Sequence, residues 1–438
     1  MTECTAQFEL WNIGRRRVTI RSAGGHITSN AGVLMLSRIE RQLKLCGRFA
    51  KALNDSRMPK RVRHTIADQL RQRVLQIACG YEDTNDATNL RHEAAFQVAM
   101  DRVAGAEGSL LASQPTLSRL ERREAAEIER LSETMLAIWK ERVGRRRRII
   151  LDIDSTDDET HGQQELAFFQ GYYGHTMYHP LLVFDGEGWP VAVMLRPGNA
   201  HGSSGAVDLL RKIRTMLPKN VRILLRADAG FAIPAMYEMC EELGIDYVIA
   251  QTVHENYKAR TAAMAERVEA QLKATGEPAI EYMEYRYKAR TWKRERRIVA
   301  KAEATAQNTC VRYVATNIEC GTAEEIYGKY KARGQSENCI KDLKNAVSGD
   351  RLSCSSFVSN AFRLVLHTMA YMLLHELRSR LRDTDLGRAQ MDTLRLKLLK
   401  IGASITVTAR RIWVQLSASD PARPWFELAI GRVLAAPT

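Results

Sequence analysis

Between residues 149 and 251 five short apolar runs alternate with two helical patterns, and two of those runs end in a carboxylate. The runs cover residues 149–154, 178–184, 190–195, 221–228 and 246–251. Runs of this length, bounded by turn signals, suit buried strands. Two stretches, about 205–216 and about 234–243, carry helical spacing instead. The order βββαβαβ predicts an α/β fold whose mixed sheet is flanked by helices. Folds of this class place their sites at strand ends, and that is where Asp154 and Asp228 fall.

The flanking sequence has a different character. Residues 8–21 alternate apolar and polar side chains and read as one or two short strands. Val62, Ile66, Leu70, Val74 and Ile77 recur at helical spacing, with Arg61, Arg71 and Arg73 on the other face. Ser113 and Pro115 mark a helix start, and that helix is expected to run to about Arg142. Gln114, Thr116, Ser118 and Arg119 project from its first turns, where donors suit base edges or phosphates. A purely structural helix start explains the same residues, because the preceding segment lacks helix-turn-helix spacing.

Beyond the sheet, the alternating stretch 282–300 follows a helix rich in Ala, Glu and Arg. Tyr285 and Tyr287 share one strand face there, and Arg286 and Lys288 the other. Trp292 precedes Lys293, Arg294, Arg296 and Arg297. Rings interleaved with cations suit bases and phosphates, and equally a ribbon whose rings face a core. A strand at 311–315 resumes the sheet, 362–377 reads as a core helix, and 404–416 reads as a hairpin. Five regions follow. Residues 1–144 are expected to be a mainly helical region that holds the candidate DNA contacts, and 145–251 the first part of an α/β core. Residues 252–304 are an inserted β-containing subdomain, 305–380 the second part of the core, and 381–438 a C-terminal region.

The net charge of +14 in 438 residues points to a polyanion partner. No run of 18 apolar residues exists, so a membrane-spanning helix is not expected. The N-terminus lacks the basic and apolar regions of a signal peptide. The eight cysteines show no C-x-x-C spacing, which argues for reduced thiols in a cytoplasmic protein rather than a zinc site.

A third acid joins Asp154 and Asp228. Tyr330, Arg333, Glu337 and Lys344 stand at offsets of three, seven and fourteen, with Lys341 at eleven. At about 100° per residue these return to within roughly 60° of one helix face. Taken alone, such a row is most simply a solvated charged face. Beside two strand-end acids, one acid among cations suits a metal next to a phosphate chain. Such a trio can hold two Mg²⁺ ions for phosphodiester chemistry with no protein nucleophile. Gly334 interrupts the row, so the helix could begin only after Arg333, leaving Tyr330 and Arg333 on the entering turn.

These residues carry a family resemblance. The chain resembles the DDE transposases of bacterial insertion sequences, in the group with the signature Y-x2-R-x3-E-x6-K, which Tyr330, Arg333, Glu337 and Lys344 match without a gap. Asp154-Ser-Thr156 is similar to the first D-x-T element of that group, and Asp228-Ala-Gly-Phe231 to the second. Asp152, two residues before Asp154, lies on the same strand face and is a second candidate or a neighbour that tunes the ligand.

The resemblance implies an RNase H-like catalytic domain covering roughly residues 146–380. It implies Asp154, Asp228 and Glu337 as catalytic metal ligands for two Mg²⁺ ions, with Mn²⁺ able to substitute. It gives Arg333, Lys344 and Tyr330 phosphate contacts near the cut, and Lys341 is a DNA-contact candidate by its place on the same stripe. Trp292 becomes the candidate stacker for an extruded base, while Arg119 is a DNA-contact candidate by its place at a helix start alone. The implied activity is cut-and-paste transposition: binding terminal inverted repeats, cleaving the ends, and joining the 3′-hydroxyl to target DNA. The implied partners are double-stranded DNA and a second copy of the chain, in the bacterial cytoplasm at the nucleoid, with no membrane. The competing expectations are an RNase H-like nuclease or resolvase without strand transfer, and a domesticated DNA-binding protein without catalysis.

Overall fold

In the computed structural model, which describes residues 7–436, the chain divides into two compact units. One unit comprises residues 123–368; the other comprises residues 1–122 together with 369–438.

The first unit is built on an eight-stranded mixed sheet. Its strands are β1 (Arg148–Ser155), β2 (Leu181–Asp185), β3 (Pro190–Met194), β4 (Arg222–Ala227), β5 (Asp246–Gln251), β6 (Ala279–Tyr287), β7 (Arg296–Ala304) and β8 (Thr309–Thr316). They lie in the order β6-β7-β8-β5-β4-β1-β2-β3. β1, β4 and β5 run parallel, and every other pairing is antiparallel. The near-continuous apolar runs of β1, β2, β4 and β5 follow from burial on both faces. Helices α1 (Ala125–Val143), α2 (Ala206–Met216), α3 (Pro234–Glu242) and α4 (Glu255–Thr275) accompany the sheet. The sequence expectation of a mixed sheet flanked by helices therefore holds.

Two details differ from the sequence reading. The helix starting near Ser113 is two helices, Gln114–Leu120 and α1, because Glu124 and Glu127 form a capping box that begins a new helix. The segment 252–304 supplies α4, β6 and β7, and both strands continue the main sheet through β8.

Helix α5 (Ala323–Lys331) opens with a capping box between Thr322 and Glu325. Its apolar positions Ala323, Ile326, Tyr327 and Tyr330 recur at i, i+3, i+4 and i+7, so they form one stripe. That stripe packs on Val248, Val299 and Val314 of three neighbouring strands. Arg333 follows this anchored helix and precedes α6 (Gly334–Lys341); a π-helical turn, Asp342–Ala346, comes next. Helix α7 (Phe357–Arg380) is long and apolar enough to cross a membrane, and 89% of that stretch is buried inside the protein.

The second unit is mainly helical, with helices at Val33–Leu43, Leu45–Ala50, Ile66–Ala78 and Arg423–Ala435 among others. Strand His26–Thr28 pairs with Ala403–Val407, which pairs with Ile412–Leu416. The N- and C-terminal parts of the chain thus share one sheet. The ribbon Gln7–Ile13 with Arg16–Arg21 is exposed along nearly its whole length.

Candidate active site

Asp154 is the penultimate residue of β1, and β4 ends at Ala227. Ala227 pairs with Ile153 in the parallel register, so Asp228 emerges beside Asp154 from strands about 4.8 Å apart. Asp228 also caps a short turn, accepting a hydrogen bond from the Gly230 amide at 3.0 Å. Two acids therefore leave the sheet at one edge because two neighbouring parallel strands end in the same register.

Glu337 lies in the first turn of α6 and is exposed. Arg333 ties it to the strand end. Its Nη1 donates to Asp154 Oδ2 at 2.7 Å, and its Nη2 donates to Glu337 Oε1 at 3.1 Å. One guanidinium thus bridges the first and third acids of the sequence reading. Burial pushes the Asp154 carboxyl up to about 6, an effect Asp228 reinforces and Arg333 opposes.

The donor set is all oxygen, as a hard divalent cation requires. Among the described residues no group of three His, Cys, Asp or Glu side chains is arranged to hold a metal ion. The cation that joins Asp154 to Glu337 is the guanidinium. It is a cation placed between the two carboxylates. An all-oxygen set of this kind suits a divalent ion by its chemistry, and Asp154, Asp228 and Glu337 are the residues that would hold one.

Asp152 is already paired within the sheet. Arg226 Nε and Nη2 donate to its two oxygens at 2.6 Å each, and both side chains are buried. Arg226 pairs directly with Asp152 across β4 and β1, so the ion pair is part of the sheet.

The row Tyr330 to Lys344 is not one helix. Tyr330 lies in the last turn of α5, Arg333 sits at the junction, and Glu337 and Lys341 lie on α6. The π-helical turn then displaces Lys344 from the face of Glu337. Lys344 Nζ donates instead to the Asp157 carbonyl at 2.8 Å and pairs with its carboxylate at 3.2 Å. Despite partial burial, Lys344 holds the Asp157 carboxyl below the usual range. Tyr330 lies under Arg333, whose guanidinium carbon stands 5.8 Å from the ring centre. Lys341 is exposed.

Trp292 is 7% exposed. Tyr237 and Tyr287 meet it edge-on at 5.3 and 5.9 Å, and Arg296 covers it at 4.9 Å. The cations beside it are matched internally: Lys293 pairs with Glu238, Arg294 and Arg296 with Glu241, and Arg297 with Glu284. Of the two sequence readings for this stretch, the ribbon with rings facing a core describes these contacts. Arg119 is exposed on Gln114–Leu120, in the other compact unit.

One element near the acids was not read as strands in the sequence. Phe168–Gln170 and His175–Tyr178 form a ribbon that also pairs with Asp158–Glu159. Its root is tightly held. Gly198 donates to the Leu166 carbonyl, and a Cβ at Gly198 would stand 1.9 Å from the Met177 carbonyl oxygen. Leu166 adopts a left-handed conformation with φ of 61°. Its tip exposes Phe169 and Tyr172, while Tyr173 sits close enough to Asp157, Asp154 and Asp228 that burial and their charges raise its hydroxyl. The signal was present as Phe168-Phe-Gln-Gly-Tyr-Tyr-Gly174, aromatic residues around turn glycines.

The family model for the transposase DDE domain, group 1, matches residues 11–438. No curated protein matches the chain.

Proposed function

Given that the chain belongs to the DDE transposase family, we propose that it is the transposase of a bacterial insertion sequence, acting on DNA ends by metal-dependent cleavage and strand transfer. The observation that carries this reading is that Asp154 and Asp228 leave neighbouring strand ends side by side, and that Arg333 links Asp154 to Glu337 on the helix that follows. The sheet core, in the order β3-β2-β1-β4-β5 with β2 antiparallel to its neighbours, supports an RNase H-like catalytic domain.

Asp154, Asp228 and Glu337 would hold Mg²⁺, or Mn²⁺ in its place, which when bound supplies an activated attacking oxygen and charge for the leaving oxygen. Arg333, released from the acids, is long enough and always charged, so it turns to a DNA phosphate. Tyr330, packed under it, limits where that arginine can point. Lys344 keeps Thr156 and Asp157 in place behind Asp154 and can exchange the Asp157 carboxylate for a phosphate. Arg119 and Lys341, both exposed, are available to the DNA backbone. Trp292 supports the fold of the β6–β7 region rather than a base, in view of its burial. Pairing two ends calls for a dimer on DNA, in the cytoplasm where the nucleoid lies.

The test uses the DNA that flanks the gene. Asp228→Ala and Glu337→Ala should abolish cleavage at the ends while end binding stays near wild type. Parallel loss of binding would make these structural residues. A wild type that cuts but never joins pre-cut ends to target would reduce the reading to a nuclease.

A further inference from the structure

Beside Glu337 the first unit has a recess of about 300 Å³. Its walls come from β7, β8 and the junction between α5 and α6, and its cations are Lys301, Arg312, Lys331 and Arg333. Two carboxylates, Glu303 and Glu337, share it, so positive charge is in excess by four to two. Tyr327 and Tyr330 supply rings to the same wall, 5.8 Å apart between centres.

The placement of the cations is unusual for a structural purpose. Lys301 and Arg312 are direct partners across β7 and β8. Like charges directly opposite on antiparallel strands destabilise a sheet. Lys301 is moreover only 8% exposed, which is rare for lysine. Its carboxylate partner is Glu303, at 2.8 Å on the same strand. Lys301, with Arg312 and Lys331 adding to it, holds the Glu303 carboxyl below the usual range. Arg312 and Lys331 are exposed at the mouth. A pocket with surplus cations and aromatic rings suits a group that carries one negative charge and one flat face.

We propose that this recess receives one nucleotide of the DNA strand next to the scissile phosphate. Lys301, Arg312 and Lys331 hold its phosphate, and Tyr327 and Tyr330 meet its sugar and base. The proposal rests on the transposase reading above, and it gives the β6–β8 extension of the sheet a substrate-holding task.

The test is the double variant Arg312→Gln/Lys331→Gln of the full chain, two exposed positions whose loss leaves the fold intact by melting temperature. The probe is a fluorescein-labelled duplex of about one terminal repeat length taken from the DNA flanking the gene. Losing one phosphate contact should make the slope of log Kd against log salt shallower by about 0.9. Binding near 0.1 M salt should weaken roughly tenfold, as for one charge-assisted hydrogen bond. A single methylphosphonate beside the cleavage position should weaken the wild type and leave the variant unaffected. An unchanged salt slope, or equal sensitivity of both proteins to every methylphosphonate, overturns the recess assignment while leaving cleavage by the wild type as support for the transposase. A wild type that neither binds nor cuts the flanking DNA overturns both.

Discussion

Replacing Arg333 by Gln should destabilise the protein in a way that depends on pH. Arg333 and Asp154 are about one-tenth exposed, and their charged atoms meet at 2.7 Å. Removing one partner of a buried ion pair costs roughly 3–5 kcal/mol, because the other charge is left without compensation. Asp154 can escape that cost by taking up a proton. Its folded carboxyl already titrates near 6 against an ordinary value of 3.8. A raised folded value means that this group's contribution is fully present below about 3.8 and lost as pH rises through 6. That lift corresponds to about 3 kcal/mol at 1.36 kcal/mol per pH unit. Without Arg333, the influence that held the carboxyl down is gone, and the losing window moves further up. Thermal melts in EDTA should therefore show a small loss at pH 5, about 2–4 °C, where Asp154 is protonated with or without the arginine. At pH 8 the loss should reach roughly 6–20 °C for a unit of this size. Adding Asp154→Asn to the variant should recover much of the pH 8 loss. Equal losses at both pH values, or no recovery on adding Asp154→Asn, would refute the reasoning.

The remaining expectations are shorter. Mn²⁺ should raise the melting temperature of the wild type, and Asp228→Asn should remove that rise; a rise that survives would place the ion elsewhere. Mn²⁺ should bind Arg333→Gln more tightly than wild type by titration calorimetry, because the competing guanidinium is gone. Trp292→Ala should cost about 3–5 kcal/mol of stability by denaturant melts; a normal melt with cleavage alone lost would return the ring to DNA. Asp158 is buried with both oxygens unpartnered, and burial followed by Asp350 pushes its carboxyl up to about 9. Its contribution is present below the ordinary value and falls as pH rises toward 9, so Asp158→Asn should stabilise at pH 8 more than at pH 5, read by paired melts.

Much of this architecture was legible because it is local. The five apolar runs and two helical patterns became β1, β2, β3, β4, β5, α2 and α3, since doubly buried strands need unbroken apolar runs. Asp154 and Asp228 were legible as strand ends, but their adjacency depends on the β1–β4 register, which no short-range pattern encodes. Arg333 was read as a phosphate contact. Its bridge to Asp154 joins residues 179 apart in sequence. Lys344 left its row because a π-helical turn has no sequence signature as clear as a glycine or proline. Trp292 misled because rings beside cations look alike in sequence whether the rings face DNA or a core. Its burial depends on Tyr237, which lies outside the alternating stretch.

The root of the Phe168–Tyr178 ribbon separates what can be rewritten from what cannot. Position 198 admits glycine alone, since any side chain would strike the Met177 carbonyl, and Leu166 is held in a conformation that most residues resist. The tip has more room: Gly171 would meet nothing within 4 Å if given a Cβ, and only Gly174, with φ of 79°, keeps its need for glycine. A laboratory library confined to the tip, with Gly174 kept, therefore explores new loops on a frame that does not shift. The same library aimed at the root would return mostly unfolded protein. For anyone wishing to retrain this chain toward other DNA ends, the ribbon tip is the place to graft.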